Sequence, residues 1–149
     1  MKNFVQKKLK DQKGMTLIEL LAVIVIIAII AAIAIPAIGN LIENSRNGAV
    51  KADYQNAIAA ANLYFTDNSS AAAATVTVEK LLSESYLDDK GSLANGVTIT
   101  KAQGGNTITG ATTDGKYAIK TAITNSNLGK IKNKDFKGTD IAYTAPAGG

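Results

Sequence analysis

The feature that most constrains this chain is an apolar run from Leu17 to Ile38, interrupted only by Glu19 and Pro36. From Leu20 to Ile38, nineteen residues pass without a charge, close to the roughly 20 that carry a helix across a bilayer. Apolar side chains would surround such a helix on every side, the pattern of a segment immersed in lipid or in protein. Glu19 stands at its mouth. A carboxylate carried to the bilayer centre costs about 2.5–3.5 kcal/mol on insertion scales. A chain that keeps a charge in this position needs a partner for it.

Charge and composition narrow the possibilities. The chain has 149 residues, enough for one small domain beside a membrane segment. Its net charge is +4, but the excess is confined to residues 1–14, where five lysines (Lys2, Lys7, Lys8, Lys10, Lys13) stand against Asp11. The remainder carries eleven basic and eleven acidic residues, so it has no global electrostatic reason to bind nucleic acid. Lysines before an apolar helix hold that end in the cytoplasm. There is no cysteine and no histidine. The first excludes disulfides and thiolate metal sites; the second removes the usual general base and metal ligand. No enzymatic activity, metal or cofactor is expected.

Beyond Pro36 the period changes. Ile38, Leu41, Ile42, Ser45, Ala49, Ala52, Ala57, Ile58, Ala61 and Tyr64–Phe65 form one helical stripe, with Asn40, Glu43, Asn44, Arg46, Asn47, Lys51 and Asp53 on the rest. The helix is expected to end near Thr66, before Asp67-Asn68-Ser69-Ser70. From Met15 to Thr66 it would run about 78 Å, far more than a bilayer. Val78–Leu87 reads as a short amphipathic helix stopped by Asp88-Asp89-Lys90-Gly91. Val97–Thr100 and Asn106–Thr109 alternate as strands around a Gln103-Gly104-Gly105 hairpin turn. Asp114-Gly115 marks a second turn. Tyr117, Ile119, Thr121 and Ile123 share a strand face, and Ile141 with Tyr143 suggests a last edge strand. Three or four antiparallel strands then need a cover, and the amphipathic half of the long helix is the only large partner. The expected class is α+β.

A basic, then apolar, N-terminus has two readings. An ordinary secretory signal would be cut after Ala32-Ile33-Ala34, releasing a soluble binding domain that begins at Ile35. The other cut falls before the apolar segment, so that the helix stays on the mature protein. Glu19 separates them, because a charge there serves only a helix that survives and packs against something.

Lys13-Gly14-Met15-Thr16-Leu17-Ile18-Glu19 resembles the processing site of type IV pilins and their pseudopilin relatives. The resemblance spans about residues 7–45. It implies a leader, residues 1–14, removed by prepilin peptidase between Gly14 and Met15, with methylation of the Met15 amine. Phenylalanine is more usual than methionine at that position. Thr16 and Glu19 fall at the family's second and fifth mature positions, which serve assembly; Glu19 of one subunit would pair with the N-terminal ammonium of its neighbour. Independently, a carboxylate in the first turn suits its own helix dipole. Pro36 and Gly39 match the family's helix-weakening positions, where assembled filaments often lose helical hydrogen bonds. The implied organisation is a membrane and filament-core helix over 15–38, an amphipathic continuation over 39–66 and a globular head over 67–149. The lack of cysteine resembles pilins of Gram-positive bacteria.

The resemblance implies the major pilin of a type IV pilus, a homopolymer assembled by a platform protein and ATPases. The subunit would be a single-pass protein of the cytoplasmic membrane before assembly and part of an extracellular filament afterwards. A pseudopilin of a type II secretion or competence DNA-uptake apparatus shares the same N-terminus. Three further motifs read as ordinary surface: the sequon Asn68-Ser69-Ser70; the carboxylates Asp88, Asp89, Asp114 and Asp140, whose spacing fits no calcium loop; and the lysines 130, 132, 134 and 137, broken by Asp135, as a solvated loop with no specific nucleic-acid contact.

Overall fold

A computed structural model describes residues 16–69 and 75–145. Helix α1 (Leu17–Asp67) runs unbroken through Pro36 and Gly39. Two compact units divide the chain, Met1–Leu41 and Ile42–Gly149. Among the described residues of the first, every large hydrophobic side chain is exposed, from Leu17 at 87% to Val23 at 43%. A protein surrounded by water does not expose such a surface without something to cover it.

The second unit is an α+β layer. Strands β1 (Thr75–Thr77), β2 (Thr98–Thr100), β3 (Thr107–Ala111) and β4 (Ala118–Thr124) form one antiparallel sheet in that order. Their register sets Val76, Ile99, Ile108 and Ile123 in one row across all four strands, and each is buried. Threonines flank the row on its neighbours (Thr75, Thr100, Thr107, Thr124). Period-2 alternation of β-branched residues thus yields one dry face and one wet face. Val50, Tyr54, Ala57, Ile58, Ala61, Tyr64 and Phe65 of α1 share a single core with that row. The Tyr54 hydroxyl donates to the Gly110 carbonyl of β3 at 3.0 Å, and its ring meets Phe136 edge-on at 6.0 Å.

The amphipathic stripe is shorter and rotated from the expected one. Ile38, Leu41, Ile42, Ser45, Ala49 and Ala52 are exposed, and Asn47, Val50 and Tyr54 are buried instead. Asn47 belongs inside because its amide is satisfied there: Nδ2 donates to the Asn133 carbonyl at 2.9 Å, and Oδ1 accepts from the Tyr117 hydroxyl at 2.7 Å. A buried amide with both ends bonded loses little on leaving water.

Helix α2 (Val78–Ser83) stops four residues before the expected Leu87. Thr77 caps its start, accepting from the Lys80 N–H at 3.3 Å. Its end is a Schellman motif in which Tyr86 N–H reaches the Leu81 carbonyl and Ser85 N–H the Leu82 carbonyl. Ser85 supplies the left-handed conformation, φ 60°, usually given by glycine. In β4 the pairing with β3 slips by two residues between Ile119 and Ile123, so Lys120, Thr121 and Ala122 are exposed and Thr121 leaves the face it was expected to share. Ile141 and Tyr143 form no strand. That segment is instead tied to β4 by single bonds, Ala118 N–H to Gly138 and Ile141 N–H to Ala118. The fourth strand is β1, and a short helix α3 (Asn125–Lys130), capped by Thr124, follows β4.

Candidate functional site: the helix N-terminus

Thr16 is the N-cap of α1 and Glu19 its third helical residue. The Thr16 hydroxyl accepts from the Glu19 N–H at 3.3 Å. In return, Glu19 Oε2 accepts from the Thr16 N–H at 2.8 Å and from the Thr16 hydroxyl at 2.9 Å. This is a reciprocal capping box. The Thr16 carbonyl receives the first intrahelical bond, from Leu20 N–H at 3.0 Å. Both side chains are exposed. Both bonds to the carboxylate use Oε2, and Oε1 holds no hydrogen bond among the described residues.

The box changes what Glu19 can do. A lone carboxylate on a lipid-facing helix would sample several rotamers and point toward whatever water is nearest. Here Oε2 is fixed against the first turn, and Oε1 is left in a set direction as an acceptor for a cation. The signal for this lies in the sequence as Thr16-x-x-Glu19 directly before an apolar run, a capping box that the dipole and partner-chain roles of Glu19 do not include. Gly14 and Met15 lie outside the described residues. Pro36 and Gly39 sit within α1, and a Cβ at Gly39 would meet nothing within 4 Å.

The other sequence candidates are dispersed. Asp89 Oδ1 caps the Gly91 N–H at 2.9 Å. Asp114 accepts from the Thr112 hydroxyl at 2.6 Å and from the Lys116 N–H at 3.1 Å, and these bonds hold its carboxyl below the usual range. No three acidic side chains gather to hold a metal among the described residues. Asn68 turns its amide back to the Tyr64 carbonyl at 3.0 Å, while Ser70 of the sequon lies outside the described residues. Lys130 sits over the Tyr143 ring at 5.4 Å; Lys132, Lys134 and Lys137 are exposed.

A family model for the prokaryotic N-terminal methylation motif matches residues 9–35. No curated protein and no solved structure matches the chain. The matched stretch contains the last lysines of the basic segment, the Gly14–Met15 bond, the capping box and most of the apolar run. With an apolar helix long enough to cross a membrane directly behind that bond, the chain carries the type IV prepilin leader, the mark of a pilin-like or pseudopilin precursor.

Proposed function

We propose that this protein is the major structural subunit of a type IV pilus. Cut between Gly14 and Met15 and methylated on the Met15 amine, it is stored in the cytoplasmic membrane by residues 15–38. An assembly platform and its ATPases then draw it into an extracellular filament whose surface is the head, residues 67–149. The observation that carries the reading is the methylation motif over residues 9–35, whose apolar stretch lies on a helix with every described large hydrophobic side chain exposed up to Leu41.

The chemistry is consistent at each step. Cleavage leaves the Thr16 N–H as an ordinary amide, so the capping box survives it. The new ammonium at Met15 is a cation where the leader lysines have just left. Glu19 Oε1 is an acceptor without a donor among the described residues. Placed in lipid, the pair is strongest when each charge meets the other, since an unpaired ion there is costly. A subunit cannot serve both ends of a bundle by itself, so the carboxylate meets the amine of a neighbouring copy. Equal subunits joined head to tail by such a contact form an open helix and not a closed ring. Moving the helix from lipid to a bundle of like helices keeps its apolar surface covered and adds close packing. Pro36 and Gly39 would loosen α1 within that bundle.

Replacing Glu19 by alanine tests this. The expected result is a normally processed, methylated subunit that accumulates in the membrane while surface filaments are lost or fall sharply in electron micrographs. Undiminished filaments from the mutant would refute the pairing. If the overexpressed, processed wild-type subunit makes no surface filament, the protein is a pseudopilin of a secretion or DNA-uptake machine.

A further inference from the structure

Within the unit Ile42–Gly149, the side of α1 that turns away from the sheet is exposed at Ser45, Ala49, Ala52, Asn56, Ala59 and Leu63. The flanks of this face carry opposite charge. On one, the loop after α2 sets Tyr86, Leu87, Asp88 and Asp89 beside Ala59 and Leu63 and forms an open groove. The loop is held there by the Tyr86 hydroxyl, which donates to Asp67 Oδ2 at 3.0 Å, and by the Tyr64–Tyr86 edge contact at 5.4 Å. Leu63 is 62% exposed at the floor of the groove, an apolar side chain next to two exposed carboxylates. Glu84 is paired with Lys80 at 3.7 Å, which leaves Asp88 and Asp89 against Lys90, and Lys90 donates to Asn95 Oδ1 at 2.7 Å.

On the opposite flank runs the segment 130–137, with four lysines against Asp135. It is fastened to α1 by Lys51 Nζ, which donates to the Ile131 carbonyl at 3.0 Å, and by the Asn47 amide bond to Asn133. These anchors lie about ten residues before the groove, which is about 15 Å along the helix. Lys130, Lys132, Lys134 and Lys137 are all exposed. The acidic and basic walls therefore lie on different sides of the same exposed face and at different heights. Such surfaces cannot meet within one molecule, but they match between parallel copies displaced along the axis.

We propose that the groove beside Leu63 receives the 130–137 segment of the next copy of this chain, with Asp88 and Asp89 facing Lys132 and Lys134 and Leu63 covered. The contact rests on the filament reading above and adds to it a lateral register for the heads. It is heterologous, so it repeats without closing. Once the leader is gone the acidic and basic residues are equal in number, so copies approach without net repulsion. Exposed ion pairs of this kind fix register and partner more than affinity, and they weaken with salt.

The chain has no cysteine, which makes disulfide trapping clean. In filaments sheared from cells expressing the full chain, the pair Asp88→Cys with Lys132→Cys is expected to give, on mild oxidation, a ladder of covalent oligomers that reductant abolishes. Either single cysteine is expected to give no species larger than a dimer. Independently, the reversals Asp88→Lys with Asp89→Lys, and Lys132→Glu with Lys134→Glu, are each expected to lower filament yield roughly five-fold, and the two sets combined to restore it. Filaments formed in normal amounts by all reversal variants, with no ladder from the cysteine pair, would overturn the interface and leave the filament reading standing. Absence of any filament from processed wild-type protein would instead strike the filament reading, and the interface with it. Wild-type filaments that bind DNA or anionic vesicles through Lys132 and Lys134, without a ladder, would assign the lysines to an external anion and overturn the proposal.

Discussion

Glu19 shows how much one side chain can be constrained by its immediate neighbour. One carboxylate oxygen is occupied by Thr16, and the other has no partner among the described residues. The sequence displays the two halves of this arrangement three residues apart, so the box was legible in it. Asn47 was not legible. Nothing in its local sequence distinguishes an amide that faces water from one that faces Tyr117 and Asn133, because both partners lie more than 65 residues away. Tyr54 carries the residue-scale prediction. Burial, with a smaller effect of Asp114, pushes its phenol above the ordinary value of 10.0. The native state therefore holds a proton that the unfolded chain gives up above that pH, and stability falls as the pH rises past it. Urea unfolding of the detergent-solubilised protein, followed by far-ultraviolet circular dichroism, should show this loss above about pH 10. Tyr54→Phe should cost about 1–2 kcal/mol at neutral pH by leaving the Gly110 carbonyl without its donor, and should flatten the alkaline decline. An unchanged alkaline slope in the mutant would contradict the assignment.

Among the elements, α1 and the hairpin around Gly104–Gly105 were readable because each is written in local signals. An apolar run sets the first half of the helix, Asp67-Asn68 ends it, and paired glycines turn the strands. What the sequence hid were ends and slips decided by tertiary contacts. Ser85 closes α2 in a conformation that glycine normally announces. The two-residue slip in β4 leaves no periodic trace, since Tyr117, Ile119, Thr121 and Ile123 alternate as a regular strand would. Strand β1 follows a run of four alanines and spans three residues, too few to show a period. Gly110 is the sheet's tightest point. Its φ is +128°, and a Cβ there would approach the Val97 Cα to 2.8 Å, a backbone atom that cannot step aside. Gly110→Ala should therefore destabilise the head by roughly 2–4 kcal/mol, combining backbone strain with overpacking, as a lower urea midpoint would record. A midpoint equal to wild type would mean that β2 and β3 are not held this closely.

At the scale of the molecule the chain divides into two units, Met1–Leu41 and Ile42–Gly149, and only the second carries a sheet and a core. From Leu17 to Leu41 every large apolar side chain is exposed, a surface that lipid or other helices would cover. The unit from Ile42 onward has its own core, yet it achieves it without disulfides in about 100 residues, a modest reserve for a domain of this size. The basic leader, the long apolar helix and the class of the fold were legible in the sequence, because charge asymmetry and an apolar run are bulk properties. The lateral fit of the heads was not, since it depends on which flank of α1 each loop is tied to. The proposed cut before the helix is tested most directly at the mature N-terminus. Intact-mass and N-terminal analysis of the protein from its native host should find a chain beginning at Met15 with one methyl group on its amine; a mature chain beginning at Ile35 would contradict it.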